Sequence, residues 1–156
     1  MRKIHPFLWF DDQAEEAMNF YVSVFPDAKA GKVTRYGDAG PGPKGSVMTA
    51  SFELAGQQFI ALNGGPHFKF TEAVSFMVDC ADQAEVDWFW DKLSEGGETG
   101  QCGWLKDRFG LSWQIVPAML FPLVGDPDPE KARRATEAML AMTKIDIAEL
   151  ERATGG

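Results

Sequence analysis

Few residues in this chain are suited to acid–base or metal chemistry. It has two histidines, His5 and His67, and two cysteines, Cys80 and Cys102. Neither histidine has a serine or cysteine partner in a recognisable nucleophile motif, and two histidines are too few for a histidine-rich metal site. Nothing near the cysteines indicates an activated thiolate, so both are expected to be small buried residues. No catalytic residue can be named from these residues alone.

Residues 40–45 read G-x-G-x-x-G, the pattern of nucleotide-binding turns. That chemistry depends on backbone amides at the N-terminus of a helix. Here Pro41 and Pro43 lack amide hydrogens, and strand-like residues follow the cluster. The sequence therefore predicts no nucleotide cofactor at this place. The wider segment 37–45 is predicted to be a mobile loop that gates a cavity.

Glu15, Glu16 and Glu85 are potential acid–base groups, but helix capping explains their positions better. The tetrapeptide Asp-Gln-Ala-Glu at residues 12–15 recurs unchanged at residues 82–85. In each copy the aspartate is a natural N-cap, and the glutamate three residues later completes a capping box. Each copy follows a strand-like run and precedes apolar residues at helical spacing. This pattern predicts a duplicated strand–helix unit.

Three further strand candidates follow each predicted helix, so each half is predicted to be a βαβββ module. The first strands are predicted at residues 4–10 and 74–80. The first module covers about residues 1–65, the second about 72–117, and a C-terminal helical extension covers 118–156. At 156 residues the chain is predicted to be a single α+β domain.

Composition limits the classes of partner. The formal net charge is −8 and no local run of Lys or Arg interrupts it, so binding to nucleic acid or to an anionic membrane surface is not expected. No segment is apolar enough to span a membrane. Two cysteines make no disulfide framework, which favours a cytoplasmic location.

Six stretches of the chain together match the wording of one known family over most of residues 4–150. They are Pro-Phe-Leu-Trp-Phe-Asp at 6–11, Glu-Glu-Ala-Met-Asn-Phe-Tyr at 15–21, Asn-Gly-Gly-Pro at 63–66, Phe-Lys-Phe-Thr-Glu-Ala at 68–73, Cys-Gly-Trp-Leu-Lys-Asp at 102–107 and Ser-Trp-Gln-Ile-Val-Pro at 112–117. With these stretches the chain resembles the PhnB-like branch of the vicinal-oxygen-chelate superfamily, a branch that carries the domain name 3-demethylubiquinone-9 3-methyltransferase. The resemblance implies a glyoxalase/bleomycin-resistance-like fold of two half-barrels, a cavity in each, and a homodimer.

The resemblance also indicates where a divalent metal would bind, because superfamily enzymes commonly hold one with about four side chains. The corresponding residues here are His5, Ala61, Ala73 or Ser75, and Gln114, with Glu72 as a nearby replacement. Of the four places only His5 is an ordinary transition-metal ligand, and alanine has no donor atom. The prediction is therefore that no metal or other cofactor is bound.

The aromatic residues and amides are the better candidates for a binding site. Strand side chains alternate, so His5, Phe7 and Trp9 are expected on one face of the first strand. In the second module, Trp104 and Trp113 are expected to form an apolar wall of the cavity. The predicted ligand-binding residues are His5, Trp9, Asn63, Trp104 and Gln114. The exposed helix position of Trp88 is expected to play no part in this site.

The preferred function is binding, or metal-independent transformation, of a small metabolite in a barrel cavity. Three alternatives remain at this point. One is a metal-dependent enzyme of glyoxalase or extradiol-dioxygenase type. Another is a drug-sequestering protein resembling the bleomycin-resistance branch, marked by an open acidic groove for cationic ligands. The last is a true ubiquinone-pathway methyltransferase, against which the missing cofactor motif argues.

Overall fold

The computed structural model describes residues 3–155, which form two four-stranded sheets and five helices. The chain divides into two compact units, the first ending at Phe70 and the second beginning at Thr71. Each unit has the element order βαβββ, and three further helices follow in the second. The predicted α+β fold with a duplicated module is confirmed. The assignment of both units to one domain stays a prediction.

The first unit consists of β1 (Phe7–Phe10), α1 (Ala14–Val24), β2 (Ala28–Arg35), β3 (Val47–Leu54) and β4 (Gln57–Asn63). The strand order is β1-β4-β3-β2, with β1 parallel to β4 and the other neighbours antiparallel. Alternate residues of β3, among them Phe52, are buried on the side where α1 packs, and Phe52 stacks on Phe59 at 5.4 Å. The opposite face of this sheet carries Trp9, Ile60 and Leu62.

The second unit begins with β5 (Ser75–Cys80), α2 (Gln83–Ser94), β6 (Glu98–Thr99), β7 (Trp104–Lys106) and β8 (Ser112–Pro117). Its strand order is β5-β8-β7-β6, which repeats the topology of the first unit. Helices α3 (Leu120–Val124), α4 (Pro129–Leu140) and α5 (Ile147–Thr154) then follow. Val116, at the end of β8, joins Leu120, Ile145 and Leu150 in a buried apolar cluster, which attaches this helical extension to the unit.

The two repeated tetrapeptides begin their helices differently. Asp82 caps α2 as predicted: its carboxylate accepts the Glu85 amide at 2.9 Å, and the Glu85 carboxylate accepts the Ala81 amide at 2.6 Å. In the first unit the predicted cap by Asp12 is wrong. The N-cap position of α1 is Gln13, which makes no side-chain cap, and the Ala14 amide donates instead to Asn63 Oδ1 at 2.8 Å.

The first strand is shorter than predicted. β1 begins at Phe7, so His5 precedes the strand instead of lying on it. Proline has no amide hydrogen, and the Pro6 carbonyl makes the first bond to β4 by accepting the Ile60 amide at 3.1 Å. No helix within residues 3–155 is long and apolar enough to cross a membrane.

Candidate functional site

The face of the second sheet that carries Ser112 and Gln114 brings several polar side chains together. Lys106 pairs with Ser112 and Trp104 pairs with Gln114 across β7 and β8, while Ser75 of β5 lies beside Ser112. Paired residues share one face of a sheet, so these five side chains point the same way. Gln114 Nε2 donates to Ser75 Oγ at 2.9 Å. Two of the predicted binding residues, Trp104 and Gln114, are therefore neighbours on one face.

A cavity of about 130 Å³ lies on this face and is called the second-sheet pocket here. Its lining residues are Glu72, Glu98, Thr99, Gly100, Trp104, Leu105, Lys106 and Ser112. The cavity is larger than the roughly 10–15 Å³ that a single water needs. It can therefore hold a small molecule, or part of a larger one.

Ser112 has an unusual position in the second-sheet pocket. Its residue is 1% exposed, and its hydroxyl has no hydrogen-bond partner within the described residues 3–155. Buried hydroxyl groups in proteins are nearly always hydrogen-bonded, and leaving one unsatisfied costs about 1–3 kcal/mol. Ser112 is also one of the residues that line the cavity.

The charged part of the pocket is an ion pair between Lys106 Nζ and Glu72 Oε1. Hydrogen bonding to Lys106 lowers the pKa of Glu72, and the same bond together with the charges of Glu72 and Glu98 raises the pKa of Lys106. Both groups therefore carry their full charges at neutral pH. The two side chains are 40% and 60% exposed, so either partner can be replaced without burying a bare charge.

Trp113 does not line this pocket, so the prediction of a cavity wall made by Trp104 and Trp113 is wrong for Trp113. Adjacent strand residues point to opposite faces, so Trp113 cannot share a face with Gln114. It is buried on the other side, where its Nε1 donates to Asp107 Oδ2 at 2.9 Å. Sequence reasoning missed Asp107, although an Asp beginning the Asp-Arg-Phe-Gly turn is a typical turn residue.

Asp107 is a buried carboxylate that organises the turn between β7 and β8. Its Oδ1 accepts the amides of Phe109 at 2.9 Å and Leu111 at 3.1 Å, and its Oδ2 accepts the Trp113 indole. Three donors satisfy the buried charge. Asp107 therefore holds the start of β8, and with it Ser112, in place.

In the first unit, Trp9 and Asn63 are occupied by contacts within the protein. Trp9 Nε1 donates to the Gly65 carbonyl at 2.9 Å, and the indole lies 4.9 Å from the Phe68 ring in an edge contact. Asn63 caps α1 through Oδ1, and its Nδ2 donates to the Val47 carbonyl at 3.2 Å. Through these bonds both residues stabilise the first unit. Their predicted role in ligand binding stays a prediction.

His5 is half-buried, and its Nδ1 has no hydrogen-bond partner among residues 3–155. His5 does not line the second-sheet pocket, and it does not line the open cleft of the first unit that is described below. Trp104 and Gln114 share a sheet face in the second unit, while Trp9 and Asn63 lie on the adjacent strands β1 and β4 of the first. Their shared role in one site stays a prediction.

The first unit has an open cleft of about 610 Å³ at the start of α1. Four carboxylates line it, from Asp11, Asp12, Glu15 and Glu16. The remaining lining residues are Pro41, Gly42, Pro43, Ser46, Val47, Asn63, Gly64, Gly65, Pro66 and His67. Among residues 3–155, no Lys or Arg contributes to this lining, so the cleft is acidic.

The predicted gate loop, 37–45, borders this acidic cleft and lies between β2 and β3 as expected. Backbone bonds of Tyr36 join the two ends of the loop, since its amide donates to the Ser46 carbonyl and its carbonyl accepts the Gly45 amide. A side chain at Gly42 would clash with the Tyr36 ring, because its Cβ would lie 2.2 Å from a ring carbon. The loop is thus a structured hairpin end, and its action as a gate stays a prediction.

Most of the residues transferred from superfamily metal sites lack a side chain that is free to bind a metal. Ala61 is fully buried beside α1, whereas its neighbours Ile60 and Leu62 face the other way. Ala73 precedes β5, and Ser75 is bonded to Gln114. Within residues 3–155 no group of three His, Cys, Asp or Glu side chains is placed to hold a metal ion.

Comparison with known proteins agrees with this fold. The family described as 3-demethylubiquinone-9 3-methyltransferase matches residues 2–116. The PhnB protein from Bacillus cereus is 38% identical, with a TM-score of 0.69 over 75% of this chain and 100% of that one. Protein PA1353 from Pseudomonas aeruginosa is 22% identical, with a TM-score of 0.63 over 75% and 98%.

A more distant structure shares the fold alone. The fosfomycin resistance protein FosX from Listeria monocytogenes, in complex with Mn(II) and sulfate, is 14% identical, with a TM-score of 0.53 over 85% of this chain and 96% of that one. No curated protein matches the chain. The profile match over residues 2–116 and the 38% identity to the Bacillus cereus PhnB protein establish that the chain belongs to the 3-demethylubiquinone-9 3-methyltransferase family.

Proposed function

We propose that this protein binds a small metabolite in the second-sheet pocket, or transforms it there without a metal ion. The observation that carries the proposal is the Ser112 hydroxyl, which is buried, without a partner in residues 3–155, and part of a cavity wall. Trp104 supplies an aromatic surface beside it. An apolar surface with few polar anchors is typical of small-molecule sites.

The chemistry of the transferred metal positions supports the metal-independent form. The side chains of Ala61 and Ala73 offer no donor atom, and Gln114 already bonds Ser75. Elemental analysis of freshly purified protein is expected to show zinc, iron, nickel and manganese far below one equivalent. Near-stoichiometric metal that disappears in His5→Ala would contradict the proposal and favour the glyoxalase-type or dioxygenase-type alternative.

The binding site itself is tested by a thermal-shift screen of small metabolites, with native mass spectrometry to detect a co-purified ligand. Ser112→Ala, Trp104→Ala and Gln114→Ala should each weaken the binding of a hit. Trp88→Ala is the matched control, because Trp88 is 45% exposed on α2, where Lys92 covers its ring. Loss of binding in the Trp88 variant, with the Ser112, Trp104 and Gln114 variants unaffected, would show that the site lies on the helix surface.

A second candidate function is sequestration of an organic cation in the acidic cleft of the first unit. The four carboxylates that line a 610 Å³ cleft favour it. Titration with berberine, a fluorescent organic cation, tests it directly. Binding should weaken in Glu15→Gln/Glu16→Gln and at high salt. Equal affinity of the wild type and the double variant would exclude this function.

The methyltransferase activity in the family's description is not part of our proposal. The G-x-G-x-x-G segment lies between β2 and β3, and no helix follows it to present amides to a cofactor. The protein is further proposed to be a cytoplasmic homodimer, with two unpaired cysteines, Cys80 and Cys102, as support for the location.

A further inference from the structure

We propose that the ligand of the second-sheet pocket is a small monocarboxylate, bound by Lys106 and Ser112, and that Glu72 pairs with Lys106 when the ligand is absent. The inference rests on the proposed function of the same pocket. It adds the chemical class of the ligand and a competitor built into the chain.

The donors on this face suit a carboxylate. Among the described residues that line the pocket, Lys106 alone carries a positive charge. Lys106 and Ser112 are register partners on β7 and β8, which places their Cβ atoms about 5 Å apart on one face. The lysine side chain is long and flexible, so its ammonium can bond one oxygen of a carboxylate whose other oxygen accepts from the Ser112 hydroxyl.

Glu72 shows that the Lys106 position accepts a carboxylate. It pairs with Lys106 from the segment before β5, outside the regular strands, and its side chain is 60% exposed. An exposed ion pair contributes little stability, so a ligand carboxylate can displace it at small cost. Once displaced, the Glu72 side chain can return to solvent with its charge intact.

The remaining lining residues set the size and charge of the ligand. Trp104 offers an indole on which a flat apolar body can lie. Glu98 lies beside Lys106 as its register partner on β6 and adds a second negative charge to the pocket. That charge disfavours dianions such as phosphate esters and dicarboxylates. A single carboxylate on a small body is the class that fits these residues.

The test compares acetate, propanoate and benzoate with their matched primary amides. Binding is measured by tryptophan fluorescence and by ligand-observed NMR on the full chain. Glu72→Gln should bind the best acid about two- to fivefold more tightly, because it removes the competing carboxylate. Lys106→Gln and Ser112→Ala should each weaken that acid about fivefold or more. The amides should bind Glu72→Gln and wild type equally.

Glu95→Gln is the matched control, since Glu95 forms an exposed ion pair with Arg108 at 3.9 Å away from the pocket lining. It should leave acid binding unchanged. Circular dichroism and thermal unfolding verify that each variant is folded. An increase in affinity in Glu72→Gln that Glu95→Gln does not reproduce supports the inference.

Two results would overturn it. One is equal binding of acids and amides with no effect of Glu72→Gln; in that case the pocket binds small molecules and only the ligand class is wrong. The other is absence of acid binding to both wild type and Glu72→Gln. If the metabolite screen also finds no ligand sensitive to Ser112→Ala, the proposed function fails as well.

Discussion

At the scale of single residues, Asn63 connects three segments of the first unit through one amide group. Its oxygen caps α1 at Ala14 and its nitrogen bonds β3 at Val47. We expect Asn63→Ala to lower the free energy of unfolding by about 1–2 kcal/mol, because the helix cap and the donor to the Val47 carbonyl are both lost. Asp12→Ala should change it by less than about 0.5 kcal/mol, since Asp12 is exposed and makes no cap. Urea unfolding of both variants decides this, and a larger effect of Asp12→Ala would contradict it.

The two cysteines are expected to differ in reactivity. Burial, with the charges of Glu85 and Asp79, raises the pKa of Cys80 from 9.0 to about 12, so its thiol stays protonated in the folded protein. Cys102 is half-buried. Titration with a thiol-specific disulfide reagent at pH 8 should modify Cys102 first and Cys80 only after unfolding in guanidinium.

The raised pKa also sets a pH dependence of stability. Below pH 9 the Cys80 thiol is protonated in both states and its contribution is complete. Between pH 9 and about 12 only the unfolded chain loses the proton, so this contribution is lost as pH rises. Cys80→Ala should make the stability fall less steeply in that range. An identical slope for variant and wild type would contradict the assignment.

Single residues of the site could be predicted only in part. The resemblance placed Trp104 and Gln114 on strands, and their pairing puts them on one face, while their role in ligand binding stays a prediction. Trp113 could have been excluded by strand alternation alone. Ser112 and Asp107 were missed, because an orphan hydroxyl and a buried turn carboxylate are defined by neighbours that the linear sequence does not reveal.

At the scale of elements, the hairpin between β3 and β4 turns through Ala55 and Gly56, both with positive φ, 49° and 83°. An L-residue other than Asn or Asp is disfavoured in this region. Ala55→Asn should therefore raise the free energy of unfolding by about 0.5–1 kcal/mol. Gly56→Ala should lower it by about 1 kcal/mol or more. Chemical denaturation of the two variants checks both signs, and a destabilised Ala55→Asn would refute this account of the turn.

The elements themselves were largely predictable, because their signals are local. Periodic apolar residues located α1 and α2, and the Asp82 capping box closes within four residues. The start of α1 was predicted wrongly because its cap, Asn63, is 49 residues away in the chain. The start of β1 was predicted wrongly because Pro6 has no amide hydrogen to donate to a neighbouring strand, so the strand begins at Phe7.

At the scale of the whole molecule, the internal repeat was sufficient to predict the duplicated fold. The repeat could not locate the site, since the two units differ in what their sheets and loops present. The first has an acidic cleft beside its helix, and the second has a small pocket on its sheet. Function in this superfamily depends on such differences between similar modules.

Oligomeric state is a property of the whole molecule that we still predict as a homodimer. β2 and β6 are edge strands within their own four-stranded sheets, and short or exposed edges favour coverage by another chain. Sedimentation equilibrium at micromolar concentration should give about twice the 17.2 kDa chain mass. A single species at the chain mass would exclude a stable dimer.

The cap that Asn63 provides for α1 has a consequence during translation. Ribosomes add about 5–20 residues per second, so Asn63 is synthesised roughly 2–10 seconds after Ala14, which lies 49 residues earlier. The nascent helix α1 therefore emerges with its N-terminus open until β4 has been made. In the second unit Asp82 and Glu85 are only three residues apart. Helix α2 can therefore be capped by its own segment as soon as that segment has emerged. Of the two copies of one tetrapeptide, the earlier one therefore waits longer during translation for the side chain that caps its helix.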